Sequence, residues 1–261
     1  MRRVVLLLLA LASTLAAALP PAPASAQGPT DAPGVTLVLC CPEAGWPPYN
    51  VPCASGPGCG IMPDIFLEAA RALGAEVVIR NFPEKRSLLL LEEGRVDVYS
   101  KAKQWVTDPE RFAWSTPVLP SRDVLAVPAD CPRAIDGPAD LAGLRLGTVL
   151  GYSYPALEEA LASGAVTRDD APDTASQLRK LLHGRTDAAV VNELVARWVL
   201  RDQGENGADA LRFSRGAVGL AWLRFAFTRA RDWEPFIARL DAEIERMRAD
   251  GRLQAILDAY R

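Results

Sequence analysis

From residue 35 onward the chain alternates short apolar, β-branched runs with segments whose apolar residues recur three or four positions apart. A stretch of prolines divides this alternation into two blocks. A chain patterned this way buries its apolar faces as helices packed on open sheets, an α/β fold. In the first block, residues 35–41, 75–80 and 96–100 read as strands and 63–73 and 84–93 as helices. Ile65, Phe66, Ala69, Ala70 and Leu73 share one helical face. Asp64 suits the positive end of that helix, and Gly74 and Gly94 stand where the two helices should stop. Residues 123–127 form a long apolar strand, after which Pro128, Pro132 and Pro138 mark a passage into the second block. There, 144–149, 187–191 and 210–213 read as strands and 155–162, 174–182 and 194–201 as helices. The apolar stretch 220–228 is placed to cross back. Trp233, Phe236, Ile237, Leu240, Ile244 and Met247 repeat at helical spacing; Asp250-Gly251 breaks that helix and another begins at Leu253. No internal repeat is evident. Because one block interrupts the other, two lobes are expected, residues 35–127 with 221–261 and residues 128–220. They should face each other across a cleft of the kind that holds small ligands.

The first residues bear on the compartment. Arg2 and Arg3 precede an apolar run at 4–11, and Ala24-Ser25-Ala26 has the small-residue pattern of a signal cleavage site. Residues 1–26 are therefore expected to be a signal peptide and 27–34 a Pro- and Gly-containing leader, with the mature chain periplasmic. No Cys stands at the cleavage point to take a lipid. Removing the two arginines from 29 Lys and Arg leaves 27 basic against 32 acidic residues, with no basic stripe of the kind that binds nucleic acid. Five Cys in an exported chain imply disulfides and one leftover thiol. Cys53 and Cys59 flank a flexible Ala-Ser-Gly-Pro-Gly loop and should pair, which leaves Cys131 for either Cys40 or Cys41. With one His and no C-x-x-C pair, no metal site is expected.

Several short motifs follow one another in order. Trp46-Pro47-Pro48-Tyr49 comes after the first strand, and Gly60 to Asp64 opens the first helix. Leu91-Glu92-Glu93-Gly94-Arg95-Val96-Asp97 and Thr107-Asp108-Pro109-Glu110-Arg111 follow, with Trp114-Ser115-Thr116-Pro117 just beyond. Asp140-Leu141-Ala142-Gly143, Gly147, Gly151, Gly184-Arg185-Thr186-Asp187-Ala188-Ala189 and Asp250-Gly251-Arg252 complete the set. Together they resemble the periplasmic solute-binding proteins of the polar amino-acid-binding type, bacterial extracellular solute-binding family 3. The resemblance covers almost the whole mature chain. It implies a type II two-lobed fold with both chain ends in the first lobe and a monomer without cofactors. It also implies a small carboxylate-bearing ligand and an ABC permease as partner.

Candidate ligand contacts follow from the residues and from this resemblance. Thr107 and Glu110 have the spacing of a capping box, which would put Arg111 in the first turn of a short helix. Its planar guanidinium can grip a carboxylate through two parallel hydrogen bonds, and the family's carboxylate-binding arginine matches this position. A surface ion pair is the other reading. If the pair is buried, Arg111→Ala should weaken binding by about 2–5 kcal/mol. Where the family has small or hydroxyl residues, this chain has Lys101, Lys103 and Trp105. The two ammonium groups would favour a second acidic group on the ligand, unless they are simply solvated. Trp46 and Tyr49 lie at the carboxyl edge of the first strand, where open α/β sheets bind ligands. The resemblance implies that Trp46 covers one face of the ligand. Tyr152 and Ser153 precede Pro155, which suits a first helical position and leaves backbone N–H groups free. Asn192 stands where amino-acid binders place an Asp for the ligand's ammonium group. An amide lacks that charge, so a ligand with acidic but no amino groups gains weight unless Glu193 supplies it.

Export, two lobes, a polar cleft and no catalytic apparatus favour a binding protein for transport. An exported dehydratase of cyclic acids on the same scaffold is one alternative, with Glu193 its one acid–base candidate. A stand-alone ligand sensor is another.

Overall fold

The computed structural model describes residues 34–53, 56–202 and 209–260; the expected signal peptide, 1–26, lies outside them, as does all of the leader but Gly34. The first block folds as β1 (Thr36–Pro42), α1 (Ile61–Ala72), β2 (Glu76–Phe82), α2 (Glu84–Glu92) and β3 (Val98–Ala102). β1 runs parallel to both β2 and β3, the arrangement that a helical crossover between strands allows. After β4 (Phe112–Trp114) and β5 (Leu119–Pro128), the second block repeats the plan with β6 (Arg145–Val149), α3 (Glu158–Ala162), β7 (Thr167–Ala171), α4 (Thr174–Leu182) and β8 (Ala188–Asn192). Here β6 is parallel to β7 and β8. α5 (Glu193–Asp202) leads to the long β9 (Leu211–Thr228), and α6 (Glu234–Ala249) and α7 (Arg252–Ala259) close the chain. The strand order β2-β1-β3-β9-β5-β8-β6-β7 sets two parallel triplets on either side of the antiparallel pair β9 and β5, with β4 pairing to β9 off this path.

Each triplet is covered on both faces, which gives four apolar clusters. Phe66 of α1, Phe236 and Leu240 of α6 and Phe225 of β9 pack on one face of the first triplet, and Leu90, Leu91, Tyr99 and Phe112 on the other. In the second half, Val124 and Ala126 join Leu178, Leu181 and Leu200, while the intervening Leu125 and Val127 join Leu141, Leu146 and Leu157. Burial on both faces is why 123–127 reads as an unbroken apolar run rather than an alternating one.

Three expectations need correction. First, 210–213 and 220–228 belong to one strand, β9. Its pairing with β5 is irregular between Asp123 and Val124 and between Val124 and Ala126, and the polar stretch between the two apolar runs lies beside these bulges. Ser214 Oγ accepts the Leu125 N–H there (3.0 Å), so a side chain replaces a rung of the ladder. Second, β7 has no apolar period to betray it. It is the edge strand, and charged residues such as Asp169 and Asp170 suit an edge that must not pair further. Third, an internal repeat exists. Gly94-Arg95-Val96-Asp97 and Gly184-Arg185-Thr186-Asp187 do the same work in the two halves. Each glycine takes a positive φ (68° and 67°) just past a helix. Asp97 Oδ2 then accepts the Val38 N–H of β1 (2.8 Å), and Asp187 Oδ2 the Arg145 N–H of β6 (2.7 Å).

Cys53 and Cys59 form a disulfide, Cα to Cα 5.3 Å. Cys40, Cys41 and Cys131 are free thiols, so no bridge joins Cys131 to the adjacent pair.

Candidate functional site

A cavity of 490 Å³ opens between the two halves. Its walls come from the carboxyl ends of β1, β3, β6 and β8 and from the middle of β5, the edge at which open α/β sheets expose loops and helix starts. Trp46, Lys101, Trp105, Tyr152, Ser153 and Asn192 all line it.

The loop after β1 is tied at both ends. Trp46 and Asn50 exchange backbone hydrogen bonds of 2.7 and 3.0 Å, and the Ile61 and Met62 N–H groups at the start of α1 donate to Pro48 and Tyr49 carbonyls. Gly60 makes this junction possible. At φ 104° it sits where a Cβ would come within 2.7 Å of Asn50 Cα. Trp46 is thereby stacked on Tyr49 with ring centroids 4.3 Å apart, and the half-exposed Trp105 meets its edge at 5.8 Å. Tyr49 itself is fully buried behind Trp46 and is absent from the lining of this cavity. Burial pushes its phenol up to about 12, so it stays protonated and its O–H donates a hydrogen bond to Asn192 Oδ1 (3.1 Å).

Asn192 is held from several sides. Its Oδ1 also accepts the Val195 N–H (3.3 Å), which orients Nδ2 toward Ser121 Oγ (3.0 Å) and Asp123 Oδ1 (3.5 Å). Asp123 and Asn192 face each other across the β5–β8 ladder. Asp123 has room for its carboxylate because Gly219 lies opposite on β9, where a Cβ would approach an Asp123 oxygen to 3.0 Å. Burial raises the Asp123 carboxyl above the usual aspartate range, and the Asn192 hydrogen bond only partly opposes it. Gln177 of α4, fully buried on the same wall, donates to Gly147 O (2.8 Å) and Val190 O (2.7 Å) and leaves its Oε1 without a partner.

The charge on the walls differs from expectation. Lys101 is paired with Glu84, which also lines the cavity, and its ammonium lies 5.7 Å from the Trp105 ring centre. Lys103 lies outside the lining and pairs with Glu110 (2.8 Å). The surplus of positive charge anticipated from the two lysines is therefore not there. Arg111 also lies outside the lining. Asp108, left-handed at φ 51°, precedes the single turn Pro109–Arg111, and no side-chain cap forms, so Thr107 and Glu110 make no capping box. The Arg111 guanidinium meets Glu92 (2.7 Å) in a pair 42% exposed on each side, so the condition of burial attached to its expected binding energy is not met. Glu193, the first residue of α5, lies outside the cavity, and alternation along β5 puts its partner Arg122 outside as well. Ser121 and Asp123 face the cavity, whereas Arg122 faces a second one of 1110 Å³ with Glu193 and Tyr49. Glu193 is held there by Arg122 (2.9 Å) and Arg197 (3.0 Å). This second space is larger but is lined chiefly by α5, α7 and the start of β5, not by the carboxyl ends of the parallel strands. Asp123, Ser121, Gln177 and Glu84 escaped the sequence reading. Of these only Asp123, a charge at the head of an apolar run, carried a visible signal.

Two α/β halves joined by two crossing strands around a shared cavity define a type II periplasmic-binding-protein fold. The model of bacterial extracellular solute-binding proteins, family 3, matches residues 38–261, and the chain belongs to that family. It is similar to a solved structure of the second substrate-binding domain of a putative amino acid ABC transporter from Streptococcus pneumoniae. The TM-score is 0.67 at 20% identity over 86% of this chain and 99% of that one. It is also similar to the L-cystine solute receptor of Neisseria gonorrhoeae in an unliganded open conformation, at TM-score 0.70 and 20% identity over 88% and 94% of the two chains. A histidine kinase sensor domain with similarity to periplasmic binding proteins matches at TM-score 0.60 and 22% identity, over 87% and 96%. No curated protein matches the chain.

Proposed function

We propose that this chain is a periplasmic, monomeric solute-binding protein. It captures a small polar, carboxylate-bearing ligand, an amino acid or related organic acid, and presents it to an ABC permease. The observation that carries this reading is the 490 Å³ cavity walled by both halves, of a size for a small metabolite. The lobes are residues 35–127 with 221–261 and residues 128–220, and ligand contacts from both favour their closure. Trp46 and Trp105 supply an aromatic wall, Tyr152 and Ser153 the opposing rim, and Lys101 and Asn192 polar contacts between them. Family membership supports the importer role, and removal of residues 1–26 on export gives the mature form. The sensor reading shares the same ligand-driven closure and is favoured by the sensor-domain likeness. The dehydratase reading is disfavoured because Glu193, its acid–base candidate, is engaged by two arginines away from the cavity.

A thermal-shift screen of the purified mature chain with amino acids, dicarboxylates and keto acids tests the proposal. A ligand present at a hundredfold its Kd adds about 2.7 kcal/mol to stability. At least one compound should raise Tm, and Trp46→Ala should weaken that response. A chain that none of them stabilises is not a binding protein for this class of solute.

A further inference from the structure

Resting on the solute-binding reading, the polar groups of the cavity narrow the ligand's chemistry. Lys101 is the only Lys or Arg among the described residues lining it, and Glu84 already engages it. Asp123 forms no ion pair among the described residues. Its one hydrogen-bond donor there is Asn192 Nδ2 at 3.5 Å, the outer limit of such a bond. An ionised carboxylate can accept about four hydrogen bonds, and leaving a desolvated one so poorly served is costly. Gln177 Oε1 and Asn50 Oδ1, on residues of the same walls, are buried acceptors without a donor as well. For Gln177 the orientation is not open to exchange, because its Nε2 is committed to two carbonyl oxygens. The walls carry Glu84 and Asp123 against Lys101 alone, so they are short of positive charge.

We propose that Asp123 is the counter-ion of a ligand ammonium group. The cleft then takes amino-bearing solutes and rejects acids of the same shape that lack the amino group. This reverses the expectation drawn from Asn192 alone. The negative charge missing at 192 is supplied by the residue directly opposite it on the neighbouring strand. Asn192 becomes a positioning residue: Tyr49 and the Val195 N–H hold its oxygen, and its amide nitrogen steadies the carboxylate. Asp123 is half-buried, and the partial desolvation that raises its carboxyl is offset when the ligand's cation arrives.

The test titrates the mature chain with the proteinogenic amino acids, singly, and with the matching 2-hydroxy acids, reading Tm and tryptophan fluorescence. Wild type should respond to at least one amino acid and not to its 2-hydroxy counterpart. Asp123→Asn, with its unliganded Tm retained, should bind that amino acid at least tenfold more weakly. The double variant Asp123→Asn/Asn192→Asp, which moves the carboxylate across the strand pair, should recover most of the loss. Equal response of wild type to the 2-hydroxy acid, or undiminished affinity in a folded Asp123→Asn, overturns the ammonium site while leaving solute capture intact. If Asp123→Asn does not fold, the wild-type comparison alone decides. If wild type responds to neither set, nor to dicarboxylates or keto acids, solute capture itself fails and the ammonium site with it.

Discussion

At the scale of single residues, what matters in the cavity is which charges are already spent. Lys101 and Lys103 look alike in the sequence, yet each has an acidic neighbour in space, Glu84 and Glu110, so neither adds an unpaired positive charge. Asp123 is the reverse case, a charge that reads as a strand end and proves to have no counter-ion among the described residues. A pH dependence follows. Burial raises its folded-state carboxyl above the ordinary value, and an ammonium ligand binds only the ionised form. Affinity should therefore be flat above that raised pKa and fall as pH drops through it, with a limiting slope of one proton. Burial pushes the wall tyrosines Tyr99, Tyr152 and Tyr154 upward, so they stay protonated throughout this range. Glu84 and Lys101 are the remaining titratable groups on the walls. Calorimetric titrations at several pH values should show the acid limb in wild type. In Asp123→Asn it should be missing, and a limb of equal size there would assign it to Glu84.

At the scale of elements, each half is fastened by the same device, a glycine that ends a helix and an aspartate that catches the backbone of the next strand over. The two latches differ in burial. The Asp97 side chain is 2% exposed and lies 2.9 Å from Arg231, whereas Asp187 is 42% exposed and stands 3.8 Å from Arg145. Asp97 is buried and Arg231 half-buried, so Asp97→Ala loses a partly desolvated pair and the bond to the Val38 N–H, about 2–3 kcal/mol in all. Asp187→Ala gives up an exposed contact and one backbone hydrogen bond, about 1 kcal/mol. Urea unfolding of the two variants measures the contrast, and equal losses would show that burial does not separate the two latches. The loop of Trp46 and Tyr49 was legible as a segment beside the cavity because it follows the first strand, although of the two only Trp46 reaches the lining. Its rigidity was not, since that comes from backbone hydrogen bonds to α1 and from a glycine whose neighbours in space are set by folding.

For the whole molecule, the crossing of β5 and β9 is decisive. β9 is 18 residues long and contributes to the sheet of both halves, and β5 pairs with it along nearly its whole length. Neither half can lose its share of these strands without opening the other. Urea unfolding followed by tryptophan fluorescence and by far-UV circular dichroism should therefore give one coincident transition. Two separated transitions would mean that the halves are thermodynamically independent. The bulges beside Asp123 and Gly219 place the irregular part of this ladder at the floor of the cavity. Ligand contacts and the junction between the halves thus share the same few residues.

The alternation of apolar runs and helical stripes in the sequence already determined an α/β chain in two blocks, because each period admits only one way to bury its apolar face. It also determined the first-strand loop, the turn before Pro155 and the end of β8 as the places to look for a ligand, since strand ends feed the cleft of such a fold. Tertiary structure alone decided which charged groups reach that cleft. Arg111 and Glu193 are drawn off by Glu92, Arg122 and Arg197, while Asp123 is brought opposite Asn192 by a strand 69 residues distant in the chain. Electrostatic partnership is a matter of distances of a few ångströms, and residues far apart in the chain acquire such distances only when the sheet pairs.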